Sequence, residues 1–192
     1  EAGVSHLTAY AFSTENWNRP KAEIDALMDL LVRTITNEIE ELDKNEVRLM
    51  AIGNLTQLPE GCREELQKAM DRTAHHSKIH LILALSYSSR WEITEAVKSI
   101  IESGIKANEV TSDLIQQHLC THHIPDPELL IRTSGEHRIS NFLLWQLSYT
   151  ELLFTDTHWP DFRRDALIDA IANYQKRERR FGMVSEQIQT TK

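Results

Sequence analysis

Apolar positions along the chain follow two different periods, and the switching between them predicts the fold class. Leu7 to Phe12 (LTAYAF) and Val47 to Ile52 (VRLMAI) are short β-prone runs, and Leu129-Leu130-Ile131 reads as the end of a buried strand. Ile79 to Leu85 (IHLILAL) is apolar almost throughout, as expected of a central parallel strand covered on both faces. Between these runs the period lengthens to that of a helix. Over residues 21–44, Ile24, Leu27, Met28, Leu31, Ile35, Ile39 and Leu42 recur at helical spacing with acidic residues between them. Glu60 to His75 turns Cys62, Leu66, Ala69 and Met70 inward, and Arg90 to Ser103 predicts a further helix. Asp165 to Arg179 predicts a last helix, with Leu167, Ile168, Ile171 and Tyr174 marking a buried face. Strands alternating with helices imply an α/β fold, a mostly parallel sheet flanked by helices.

Composition narrows the function more than the fold. The 192 residues show no linker, repeat or low-complexity tract, so a single domain over 1–192 is expected. A net charge of −8 argues against a nucleic-acid partner, because phosphate backbones attract basic surfaces. A small phosphorylated ligand stays open, since it needs only a local cluster of arginines. Cys62 and Cys120 make no disulfide framework, which sets a reducing cytoplasm as the expected location. No apolar run approaches the length of a membrane span.

Candidate chemistry gathers where the predicted strands run out, the end at which open α/β sheets place ligands. After Ile131 come Arg132-Thr133-Ser134-Gly135-Glu136-His137-Arg138-Ile139-Ser140. Two guanidiniums six positions apart, with Ser140 beyond them, can close around a phosphate, because each presents a planar fork of donors. An Arg pair alone is more often a surface ion pair; the variety of polar groups here favours a site. After Phe12 come Ser13-Thr14-Glu15-Asn16-Trp17-Asn18-Arg19-Pro20, another polar loop, although Ser13 and Thr14 could serve only as turn residues before a helix opened by Pro20. His118, Cys120, His122 and His123 suggest zinc, but no second ligand pair stands at zinc-site spacing, and histidines suit a helix C-terminus in any case.

The stretches RTSGEHRISNFLLWQLSYTELLFTDTHWPDF and AYAFSTENWNRP closely resemble two signatures of the cis-prenyltransferases of the bacterial undecaprenyl diphosphate synthase type. The resemblance runs from Leu7 to Gly182. It implies a Mg²⁺-dependent transferase that joins isopentenyl diphosphate to an allylic diphosphate such as farnesyl diphosphate with Z double bonds, making an undecaprenyl carrier lipid for cell-wall precursors. It also implies a homodimer, a cytoplasmic protein peripheral to the inner face of the membrane, and transient membrane contact for product release. By the same resemblance, Ser13 and Asn16 have catalytic polar roles, Arg19 lies near the diphosphate ends, and Phe12 and Trp17 have apolar or structural roles. Arg132, Arg138 and Ser140 match the cradle for isopentenyl diphosphate. Arg180 and Gly182 match an element reaching the partner's active site. Glu151 matches the acid of the Mg²⁺ site, contributed by the dimer partner, with His137 close to it. Val47, Leu49, Ile79 and Leu81 match the walls of a hydrophobic tunnel, of which the helix over 21–44 forms one side.

Two departures from the family pattern stand out. Where the family commonly has Asn-Tyr-Gly-Gly-Arg, this chain has Ser86-Tyr87-Ser88-Ser89-Arg90, which questions any backbone role of the glycines and makes Ser88 or Ser89 a candidate helix cap. The family's phosphate-binding Asp-Gly-Asn-Gly-Arg-Trp motif and the strand before it have no counterpart in these residues. The expectation is therefore a synthase chain that is N-terminally incomplete and inactive by itself. The alternative is a non-catalytic prenyl-lipid-binding or regulatory subunit paired with a complete enzyme.

Overall fold

The computed structural model describes residues 3–178, which divide into two compact units, 3–125 and 126–178. Each is described by itself.

The first unit is built on a parallel sheet of three strands. β1 (His6–Ser13) and β2 (Val47–Ile52) pair with opposite edges of β3 (Ile79–Tyr87), giving the order β1-β3-β2. The continuous apolar run thus occupies the central position, as expected, and Ile82 and Ala84 are fully buried. Alternation along β2 and β3 sends Leu49, Ala51, Leu81, Leu83 and Leu85 to one face. There they meet Met28 and Ile35 of α1 (Lys21–Lys44) and Cys62, Leu66 and Ala69 of α2 (Glu60–Thr73) in a single apolar cluster. α1 follows its predicted bounds, entered after Pro20 and left through Asn45 and the left-handed Glu46 (φ 59°). α2 ends at Thr73, two residues earlier than its periodicity suggests; there the Thr73 hydroxyl donates to the Ala69 carbonyl (2.9 Å) and accepts the Leu49 amide (3.0 Å). α3 (Ser89–Glu102) packs on α4 (Ser112–His118).

The second unit holds a parallel pair, β4 (Leu129–Arg132) with β5 (Glu151–Phe154), in register from Leu129 opposite Glu151 to Arg132 opposite Phe154. α5 (Arg164–Gln175) follows. The face anticipated as buried is only partly covered: Leu167 and Ile168 are 38% and 46% exposed, Ile171 and Tyr174 are half-buried, and within the helix only Ala170 is fully buried. No helix among the described residues is long and apolar enough to cross a membrane.

Candidate active site

In the first unit, polar side chains collect at the carboxyl ends of β1 and β3. A register shift between Tyr10 and Ser13 turns the end of β1, the kind of irregularity that re-aims side chains next to sites. Phe12 goes into the core, its ring edge-on to Trp17 at 4.9 Å. The Trp17 indole then donates to the Ser86 hydroxyl (2.8 Å), which donates to Gln57 (2.6 Å). Ser86 sits at φ 48°, a left-handed conformation that asparagine adopts more readily than serine. Its carbonyl accepts the Asn54 amide (3.1 Å). That approach needs Gly53, where a Cβ would lie 2.1 Å from the Leu85 carbonyl oxygen. The Thr14 hydroxyl donates to Ser88 (2.8 Å), and the Ser13 amide donates to the Asn16 side chain (2.9 Å). Thr14, Trp17, Gln57 and Trp91 line a cleft of about 510 Å³. Arg19 stands apart, paired with Glu23 at 2.9 Å on the surface.

The serines that replace the family glycines are accommodated without strain. Ser88 is extended (φ −153°) and Ser89 is already helical, so neither position needs a glycine's conformational freedom. Ser88 occupies the N-cap position, yet its side chain makes no capping bond.

Behind the cleft lies a group that the sequence reading did not single out. Glu92, 1% exposed, accepts from the Tyr87 hydroxyl (2.6 Å), the Cys120 thiol (3.1 Å), and the amide and hydroxyl of Thr121 (3.2 and 3.0 Å). Burial, reinforced by the Glu92 carboxylate, pushes the Tyr87 phenol and the Cys120 thiol well above their ordinary ranges. The one available signal in sequence was an acid in the first turn of a helix directly after a strand.

In the second unit, β4 empties into a loop with repeated left-handed backbone: Ser134 (φ 69°), Gly135 (φ 66°), Ser140 (φ 55°) and Asn141 (φ 60°). The loop is tied down by the Ser134 and Gly135 amides, which donate to the Thr157 and Thr155 carbonyls (2.9 and 3.0 Å). Arg132 is half-buried, and its Nε is buried with no hydrogen-bond acceptor among the described residues. Arg138 is exposed and pairs with Glu136. The His137 ring lies 5.3 Å from that of Phe154, at the far end of β5. Glu151 begins β5, three residues earlier, roughly 10 Å along the strand. Within one chain, therefore, Glu151 does not stand beside His137. Its carboxylate instead accepts from Arg177 (2.8 Å), a partner the sequence reading missed, and Arg177 also donates to the Leu152 carbonyl (2.9 Å).

Of the residues matched to a tunnel by resemblance, Val47 and Leu49 are buried, Ile79 is half-buried, and Leu81 packs against the α1–α2 cluster. Arg180 and Gly182 lie outside the described residues. The histidines that suggested zinc have other partners: His118 Nδ1 lies 2.9 Å from the Ser99 hydroxyl and His122 Nδ1 lies 2.9 Å from the Leu119 carbonyl.

A parallel α/β scaffold with an arginine-bearing loop beyond a strand end is chemically suited to an anionic ligand. Comparison with known proteins narrows this further. Residues 1–182 match the family described as "Putative undecaprenyl diphosphate synthase". The chain is 54% identical to an isoprenyl transferase of Porphyromonas gingivalis over 97% of its length and 75% of that protein's. An isoprenyl transferase of Chlorobaculum tepidum is 45% identical over 99% of this chain and 73% of its own. Among solved structures, lavandulyl diphosphate synthase from Lavandula x intermedia, in complex with dimethylallyl diphosphate, superposes with a TM-score of 0.89 at 37% identity, covering 94% of this chain and 80% of that one. A probable undecaprenyl diphosphate synthase from Campylobacter jejuni gives 0.84 at 38%, covering 93% and 83%. The chain belongs to the prenyltransferase family of undecaprenyl diphosphate synthases. These relatives do not favour a non-catalytic subunit.

Proposed function

We propose that the chain condenses isopentenyl diphosphate with an allylic diphosphate, farnesyl diphosphate being the expected primer, to extend a Z-polyprenyl diphosphate of the undecaprenyl type. In that reaction the terminal methylene carbon of the acceptor bonds to the allylic carbon. The allylic carbon–oxygen bond breaks, its electron pair leaves on diphosphate, and a proton leaves the acceptor's adjacent methylene. The observation that carries the reading is Arg132: a guanidinium nitrogen buried without an acceptor among the described residues, on a strand end whose loop also bears Arg138. A guanidinium has donors and no acceptor, and an oxyanion makes the strongest, charge-assisted bonds with it. Arg132 and Arg138 would grip the acceptor diphosphate, with Ser140 on the same loop; Ser13 and Asn16, in the first unit, keep the catalytic polar roles that the family resemblance implies.

The family's Mg²⁺ fits Glu151 as a single oxygen ligand, since this ion is usually held by one or two carboxylates plus substrate phosphates. It does not fit an all-protein cage: among the described residues no other His, Cys, Asp or Glu groups with Glu151 as a set of three ligands. When bound, the ion would neutralise charge developing on the leaving diphosphate. Arg177 holds the Glu151 carboxylate in place meanwhile. A homodimer, in which Glu151 serves the partner's site, accords with the separation of Glu151 from His137 in one chain.

A channel for the growing lipid along this wall would be lined by the half-buried apolar side chains Ile24, Leu27 and Leu31 of α1 and Leu81 and Leu83 of β3, which pack against the apolar cluster. A lipid product also implies transient contact with a membrane surface.

Steady-state kinetics test the acceptor grip. Arg132→Lys should raise KM for isopentenyl diphosphate about tenfold to a hundredfold, equivalent to roughly 1–3 kcal/mol, because a point charge cannot reproduce the fork. An unchanged KM would remove the loop from the acceptor site. Leu81→Ala should lengthen the product if this wall bounds the lipid; an unaltered chain-length distribution would leave Leu81 as core alone.

A further inference from the structure

A second cluster of ligating groups lies at the opposite end of the first unit's strands. Asp43 is in the last turn of α1, and His75 and His76 follow the end of α2. These segments lead directly into the first residues of β2 and β3, whereas the polar cleft lies at the strands' carboxyl ends. His76 Nε2 is 2.7 Å from Asp43 Oδ1, and the rings of His75 and His76 are 3.9 Å apart. One ligating atom from each of Asp43, His75 and His76 falls within 4.8 Å of the other two. The second carboxylate oxygen of Asp43 accepts from Arg72 (3.3 Å), which fixes the carboxylate while Oδ1 faces the imidazoles.

Two imidazoles and a carboxylate form a donor set for Zn²⁺ and its late first-row neighbours, and a poor one for Mg²⁺, which demands oxygen ligands in octahedral geometry. With metal–ligand bonds of about 2.0–2.1 Å, tetrahedral donors stand roughly 3.4 Å apart. The His75 ring touches that of His76 but is otherwise exposed, so it can swing the small distance needed. The backbone beneath the cluster is firm: buried Thr73 accepts the Leu49 amide, and the His76 amide donates to the Thr73 carbonyl (3.1 Å).

We propose that Asp43, His75 and His76 bind Zn²⁺ or a similar late first-row divalent ion, clipping the C-terminal ends of α1 and α2 together. The position, remote from the strands' carboxyl ends, makes the ion structural, and the inference stands independently of the proposed reaction. The test is calorimetric titration of Zn²⁺ into chelator-stripped protein, with thermal melting of the same samples. One ion per chain and a raised Tm are expected, with no comparable shift from Mg²⁺. His75→Ala, an exposed substitution, and Asp43→Asn should each weaken Zn²⁺ by at least about tenfold, the smallest effect seen even for groups that only orient ligands. A His122→Ala, His123→Ala double variant should bind as the wild type does. Absent binding, full affinity in His75→Ala, or a loss that follows the double variant would each overturn the site.

Discussion

The polar loop after β1 and the polar loop after β4 draw on similar residues and end in opposite states. After β1, Trp17 donates to Ser86, Ser86 to Gln57, and Thr14 to Ser88, while Asn16 accepts the Ser13 amide. These are hydroxyls, amides and an indole, neutral groups that include both donors and acceptors, so they satisfy one another. At the end of β4, Arg132 keeps a buried nitrogen without an acceptor among the described residues, and beyond it Arg138 is 65% exposed beside Glu136. Arginine brings donors only, so two of them on one loop leave a demand that an anion from outside can meet. The closed network holds a frame; the open one is where we propose that a ligand binds. Glu92 belongs with the frame, a buried charge already met by hydroxyl, thiol and amide donors.

The comparison breaks most sharply at Glu92. Glu92→Ala should destabilise the protein by about 3–5 kcal/mol, because several buried donors lose a charged acceptor together. Urea unfolding measures this, and a loss under roughly 1 kcal/mol would take Glu92 out of the frame. Gly53→Ala should cost about 2–3 kcal/mol by the same measurement, since its Cβ would overlap the Leu85 carbonyl at a backbone φ of 113°. A near-neutral result would show that the turn relaxes and that Ser86 is not held by it. On the open side, Arg138→Lys should leave the urea midpoint alone and weaken isopentenyl diphosphate binding by about 1–2 kcal/mol, less than Arg132→Lys because Arg138 is more exposed. Lost stability with unchanged binding would reverse the contrast between the loops.

The smallest effect concerns the thiols. Burial raises both Cys62 and Cys120, and Glu92 raises Cys120 further. Near pH 8.5, about the ordinary thiol value, both should resist iodoacetamide in the folded protein and react once unfolded in urea. A raised native pKa also means that the stabilisation is complete below about that pH and declines as pH climbs past it. Rapid labelling of Cys120 in the folded chain would show that the Glu92 network opens.

Hydrophobic spacing by itself determined the local elements. α1 over 21–44 and β2 over 47–52 keep their predicted bounds, and Ile79–Tyr87 is central because an apolar run with no polar face has to be covered on both sides. The signature stretches identified the family through residue types alone. Tertiary structure decided what those residues touch, because a side chain's partner can lie anywhere along the chain. Spacing drew attention to His118 and His122, neighbours in sequence that found separate partners, whereas Asp43 and His76 meet across 33 residues. Glu151 carries no local sign of Arg177, which reaches it from beyond α5. The apolar period of α5 promised a buried face, but burial depends on what packs against a helix, and Leu167 and Ile168 remain exposed. Periodicity is a property of the local backbone; satisfaction of a charge or a donor is a property of the fold.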